Sequence, residues 1–278
     1  MMGAMAAFTL NDTMTKTTGG EVPLFQLLFL RGLISISLIL VLWGRLGPMH
    51  VRLSRRDWKL VGIRSASEVA ASFFFVTALF NMPLANLSAI LQSLPLTVTL
   101  GAALFYREAV GWKRMSAILV GFMGVMLIVK PGTEGFNIWS IYALVAVFFV
   151  TVRDLSTRRL SGDVPSMTVT LAAVLSVTLF SGVAQLATPW APVSGAHWTA
   201  IAAAAVFVLM GYYFSVQTMR IGEVSFIAPF RYTGLIWALI LGWFVFGDWP
   251  LPSTLAGAGI VAATGLFTLY RERKLSRR

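Results

Sequence analysis

Apolar runs long enough to cross a lipid bilayer follow one another along this chain, and Lys and Arg are confined almost wholly to the gaps between them. A helix needs about 20 residues to span the hydrocarbon. Ten segments of this kind can be drawn, at 1–14, 24–43, 58–80, 84–106, 112–129, 138–152, 167–186, 197–219, 224–246 and 252–270. The first and sixth are short, and the first contains Asn11 and Asp12. Hydrophobic residues make up 57% of the chain and charged ones 12%, about half the charged share of a soluble domain. Mean hydropathy is +0.79. The bilayer is therefore the solvent, and the expected fold class is an all-α polytopic membrane protein. With no cysteine, disulfides and thiolate metal sites are excluded. The first segment follows no basic region and reads as a retained helix, not a removed signal.

The net charge of +11 would suggest a nucleic-acid partner in a soluble protein. Here it needs only a membrane. One alternating set of gaps, with the tail, holds Arg45, Arg52, Arg55, Arg56 and Lys59; Arg107, Lys113 and Arg114; Arg153, Arg158 and Arg159; Arg220; and Arg271, Arg273, Lys274, Arg277 and Arg278. The other set holds only Lys16 and Lys130. Positive charge stays on the cytoplasmic side, so both termini are expected in the cytoplasm of a multi-pass inner-membrane protein.

A weak internal repeat sharpens this picture. The stretch from Ala78 to Val129 returns from Gln217 to Tyr270, with Gln92 falling against Arg231. The exit Phe105-Tyr106-Arg107-Glu108 falls against Val245-Phe246-Gly247-Asp248. Five helices per copy is an odd number, so the second copy must start from the opposite face. The expected architecture is ten transmembrane helices as two inverted five-helix repeats. The first covers 1–130 and the second 137–271, with a basic cytoplasmic tail at 272–278. Transporters built from such halves place their substrate between them.

At this point the residues resemble a known family. The run Asn81-Met82-Pro83-Leu84-Ala85-Asn86, the exit Tyr106-Arg107-Glu108 and Gly121-Phe122-Met123-Gly124-Val125 are similar to the recurrent domain of the drug/metabolite transporter superfamily, in its EamA branch. Ala228-Pro229-Phe230-Arg231-Tyr232-Thr233 through Gly247-Asp248 resembles the second copy of that domain. The Pro-Phe-Arg-Tyr run is similar to members thought to carry riboflavin or S-adenosylmethionine. The resemblance implies a central cavity walled by the third, fourth, eighth and ninth helices, and secondary transport of a small metabolite.

Charges inside a bilayer are costly and mark the first functional candidates. Glu68 lies near the middle of the third segment, with Arg64 one turn earlier on the same face. Glu68 is the candidate for substrate contact or proton binding; an internal Arg64–Glu68 pair is the structural alternative. Arg231 follows Pro229, which bends a helix and frees a carbonyl. It is placed in the cavity as a group for a carboxylate, phosphate or carbonyl, against a structural pair with Glu68 or Glu223. Gln92, near Pro95, either binds a ring edge or bonds another helix. Tyr232, Tyr212, Tyr213 and Trp237 suit a stacked flat ring, or pack against lipid. Arg31 is expected to pair with Asp12. Phe73-Phe74-Phe75 reads as packing. The small pairs Ala117/Gly121 and Ala258/Ala262 let helices approach closely, either between the halves or in a dimer.

The leading function is therefore a secondary transporter working by alternating access. Its substrate site combines Glu68, Gln92, Arg231, Tyr232, Arg64, Tyr212 and Trp237. The excess of interior Arg over acid leans toward a neutral or anionic, flat compound such as riboflavin. Amino acids, S-adenosylmethionine and drugs remain open, and import and export are not separable. A proton is the candidate coupling ion, no cofactor or metal is expected, and the oligomer is a monomer or homodimer. No nucleotide-binding loop is present. An intramembrane enzyme lacks a nucleophile–base set at membrane depth, and a channel lacks a continuous polar stripe.

Overall fold

The computed structural model describes residues 1–42, 44, 53–107, 111–130, 137–221 and 228–276. Among the described residues every regular element is helical. In chain order they are α1 (Met2–Thr17), α2 (Leu24–Val41), α3 (Arg55–Asn81), α4 (Leu84–Leu91), α5 (Leu94–Tyr106), α6 (Trp112–Val129), α7 (Trp139–Arg158), α8 (Ser166–Gln185), α9 (Gly195–Ile221), a 3-10 turn (Ala228–Tyr232), α10 (Thr233–Phe246) and α11 (Pro252–Ser276). Eight helices are long and apolar enough to cross a membrane, taking α4 and α5 as one. Helix α1, with 16 residues, and the stretch Phe230–Phe246 are shorter. The sixth expected segment is longer than its apolar run: α7 continues through Arg153 and Asp154 to Arg158. Arg153 is thus a helix residue, not a loop residue as its charge implied, because a neighbouring carboxylate stabilises it there.

Among the described residues one helix of the bundle is interrupted, near a proline. Pro95 has no N–H to offer the Leu91 carbonyl, and its ring crowds that carbonyl. Helix α4 therefore stops at Leu91, and Gln92 and Ser93 form a turn. Ser93 donates from its N–H (3.0 Å) and its Oγ (2.7 Å) to the Ile90 carbonyl. In the second half the 3-10 turn Ala228–Tyr232 takes the same place before α10. The break after α4 meets the first turn of α10: a Cβ on Gly234 would stand 3.6 Å from Gln92 Nε2. Helices α5 and α10 also end alike. Arg107 closes α5 at φ 53° and Gly247 closes α10 at φ 70°. For glycine that left-handed cap is free, whereas arginine spends about 1 kcal/mol on it.

The helices pair in a regular way. Helix α1 packs on α9, and α3 packs on α7; α2 packs on α8, α4 on α10, and α6 on α11. Taking α4 with α5 as one, exchanging each described helical segment with the one five places away returns the same pairs. Lipid is as apolar as leucine, so close fit rather than hydrophobic force holds such helices together. The α6–α11 contact shows how: a Cβ on Gly257 would stand 2.5 Å from the Gly124 carbonyl oxygen, and a Cβ on Gly124 would stand 2.9 Å from that of Gly257. Small residues on these two helices therefore pack one against the other within the chain. Leu79, Leu87, Ile90, Leu96, Ile118 and Val261 close the adjoining core. Phe25 stacks on Phe73 and Phe74 on Phe149, which makes the Phe73–Phe75 run packing. The outer faces carry exposed Leu104, Phe105, Leu119, Met123, Val183 and Phe244, as a surface solvated by lipid requires.

The end of α1 is pinned by its lysine. Lys16 Nζ donates to the carbonyls of Leu79 (3.2 Å) and Met82 where α3 ends, and lies 5.2 Å from the Phe246 ring centre. Orphan carbonyls at a helix end carry partial negative charge, so an ammonium group fits there.

Candidate functional site

A pocket opens between α2, α3, α8 and α9, two helices from each half of the chain. Its polar lining includes Arg31, Ser35, Arg64, Glu68, Ser72 and Tyr212. Its volume is about 70 Å³, well below the several hundred of a site holding a drug-sized ligand. In this conformation the pocket is too small to hold such a ligand.

Glu68 does not pair with Arg64. It accepts from Arg153 Nη1, at 3.3 Å to Oε2 and 3.4 Å to Oε1, across the α3–α7 contact. Arg153 Nη2 also lies 2.9 Å from Asp154 Oδ1. The Glu68 and Arg153 side chains are 15% and 21% exposed, so the pair is part-solvated. Arg64 turns instead toward the second half. Its Nε donates to Thr157 Oγ1 (3.0 Å) and its Nη1 to the Val169 carbonyl (3.4 Å). The one-turn spacing of Arg64 and Glu68 suggested a pair, but tertiary partners on α7 and α8 outcompete it.

Arg31 faces α1, as expected, but bonds other groups there than Asp12. Its Nη1 donates to Asn11 Oδ1 (3.3 Å) and Thr15 Oγ1 (3.4 Å) on α1. Asp12 accepts from Asn11 Nδ2 at 2.9 Å and, without bonding Arg31, lies near enough for the two charges to attract. Tyr212 lines the pocket and meets Phe8 of α1 edge-on, ring centres 5.4 Å apart.

The other expected site residues lie elsewhere. Gln92 sits against Gly234 of α10, and does not line the pocket. Arg231 and Trp237 are half-buried; among the described residues Arg231 holds no ion pair. Glu68, one partner considered for it, is engaged by Arg153, and Glu223 lies outside the described residues. Tyr232 is buried with its hydroxyl lacking a hydrogen-bond partner, packed against Gly265. Tyr213 is exposed. The structure thus joins Glu68, Arg64 and Tyr212, adds Arg31, and sets Gln92, Arg231, Tyr232 and Trp237 apart from them. Arg153 was missed as a site residue. Its only sequence signal was a helical run extending beyond the apolar stretch. His50 and Glu108 lie outside the described residues, and His197 sits 3.7 Å from Glu21. No cluster of three or more metal-ligating side chains occurs among the described residues.

Two segments, residues 1–130 and 137–270, each match the pattern of the EamA-like transporter family. The chain belongs to this family. A riboflavin transporter of Vibrio cholerae is 29% identical, over 88% of this chain and 82% of its own length. An S-adenosylmethionine uptake transporter of Rickettsia felis is 25% identical over 98% of this chain and 91% of its own. A pseudopaline exporter of Pseudomonas aeruginosa is 25% identical over 99% and 96%. A solved crystal structure shares the fold, with a TM-score of 0.67 at 20% identity, covering 98% of this chain and 97% of that one. The relatives are transporters, and this EamA protein is a transporter rather than an enzyme.

Proposed function

We propose that the protein is a secondary carrier moving a small metabolite across the inner membrane by alternating access. Residues 1–130 and 137–271 act as inverted five-helix halves that rock about the α2–α3–α8–α9 pocket. The observation that carries this reading is the pocket's placement: a small chamber with Arg31, Arg64, Glu68 and Tyr212, walled by two helices of each half. Ionisable groups at membrane depth mark substrate and ion paths. The exchangeable helix pairs and the matching caps at Arg107 and Gly247 support the inverted relation. A chamber of this size admits a metabolite only when the halves part, as alternating access demands. Gln92, in the break after α4, and Arg231, in the 3-10 turn before α10, act where the halves bend. Tyr232 and Trp237 flank that bend, and a proton on Glu68 is the coupling ion.

Purified protein in proteoliposomes tests this with labelled riboflavin, S-adenosylmethionine and a set of amino acids. Uptake that saturates, with counterflow from preloaded vesicles, is the expected result. Flux rising linearly with concentration, without counterflow, removes the carrier reading in favour of a channel.

A further inference from the structure

The pocket holds two guanidinium groups whose charge no carboxylate contacts directly. Arg64 is 8% exposed and uses Nε and Nη1 on a threonine hydroxyl and a backbone carbonyl, both neutral. Arg31 uses Nη1 alone, on an amide oxygen and a hydroxyl at 3.3 and 3.4 Å. A guanidinium carries five N–H donors, so most of the donors on these two side chains have no acceptor among the described residues. Their nitrogens are not among the buried atoms lacking a partner. The unbonded donors therefore border open space, and both residues line this pocket.

The acids nearby are already engaged. Glu68 and Asp154 share Arg153, and Asp12 is bonded to Asn11. Ser35 and Ser72 add hydroxyls to the wall. Asp12 and Glu68 attract Arg31 from a distance but bond neither fork; a guanidinium at membrane depth with unmatched donors is costly, and an anion placed between the two forks removes that cost through charge-assisted bonds.

We propose that this pocket selects an anionic substrate, gripping a carboxylate or phosphate group between Arg31 and Arg64. Arg153 keeps Glu68 from competing for those two arginines. A cationic substrate is disfavoured, and a neutral one leaves the donors unmatched. This rests on the pocket being the carrier's substrate site.

The absence of cysteine provides a clean reporter. A Ser72→Cys variant carries one thiol, on the pocket wall. Its modification by the small neutral reagent methyl methanethiosulfonate is followed by intact mass in detergent, at matched ionic strength. The probes are inorganic phosphate, succinate, ribose and choline, against chloride. Phosphate and succinate are expected to slow modification several-fold, and ribose and choline to leave it unchanged. Arg64→Gln and, separately, Arg31→Gln are expected to remove most of the protection, and Arg64→Lys to keep part of it. Protection by ribose or choline equal to that by phosphate leaves the substrate site standing and overturns its anion preference. Protection by phosphate that survives both glutamine variants also overturns it. A thiol that no probe protects overturns the anion site and the pocket assignment together.

Discussion

Glu68 is held by a residue that charge alone had assigned to a loop. At the scale of single side chains, the Glu68–Arg153 contact joins α3 to α7, and neither charge is well placed without the other. Removing one partner of a fully buried pair costs several kcal/mol; for this part-solvated pair Arg153→Ala is expected to cost about 1–3 kcal/mol. Thermal unfolding in detergent measures it. Adding Glu68→Gln to Arg153→Ala should recover part of the loss, because the stranded carboxylate is then neutral. A purely additive double mutant means that the contact carries no coupling. In transport, Glu68→Gln is expected to abolish the pH dependence of uptake, and a pH profile unchanged from wild type removes Glu68 as the proton site. The acid and its depth were legible from residue order, since a carboxylate inside an apolar run is visible by inspection. Its partner was not, because Arg153 is 85 residues away in the chain and only packing brings it near.

Among the helices, the informative features are where they break and where they touch. Pro95 made the break after α4 foreseeable, through a missing N–H and a crowded carbonyl. That Gln92 would come to rest against Gly234 was not foreseeable, since it depends on how two halves dock. The small-residue pairs had two readings; a Cβ on Gly121 would stand 2.8 Å from Thr264 Oγ1 of α11, and Gly124 and Gly257 bring the same two helices together within the chain. Gly257→Val is expected to push α6 from α11 and cost about 1–3 kcal/mol, measured as a lower melting temperature. Its particle mass by light scattering should match that of wild type. A dissociated oligomer with unchanged melting temperature points to a dimer contact instead. Lys16→Met should release α1 from the end of α3 and cost about 1–2 kcal/mol, since the lost bonds involve a half-buried charge. Equal melting temperatures for the two proteins dismiss that role.

For the whole molecule, the prediction concerns sidedness. Single cysteines at Asp163 and Ser276 are expected to react with an impermeant thiol reagent only from the cytoplasmic side. Cysteines at Thr17 and Thr188 are expected to react only from the other. Labelling of Asp163→Cys and Thr17→Cys from one side breaks the inverted arrangement of the halves. The helix pairing fits that arrangement because α1–α9 and α3–α7 interchange while α2–α8, α4–α10 and α6–α11 map onto themselves.

Hydropathy and charge distribution were enough to read an all-helical membrane protein from residue order, because lipid forces each segment to satisfy its own backbone and sorts Lys and Arg by side. Those are local constraints, and local constraints are written in consecutive residues. Which arginine meets which acid is not local. Arg64 chose Thr157 and Val169 over its helical neighbour, Arg31 bonded Asn11 and Thr15 beside Asp12, and Arg153 took Glu68. Each choice depends on distances set by the docking of distant helices, so the chemistry of the pocket emerged only when the bundle was assembled.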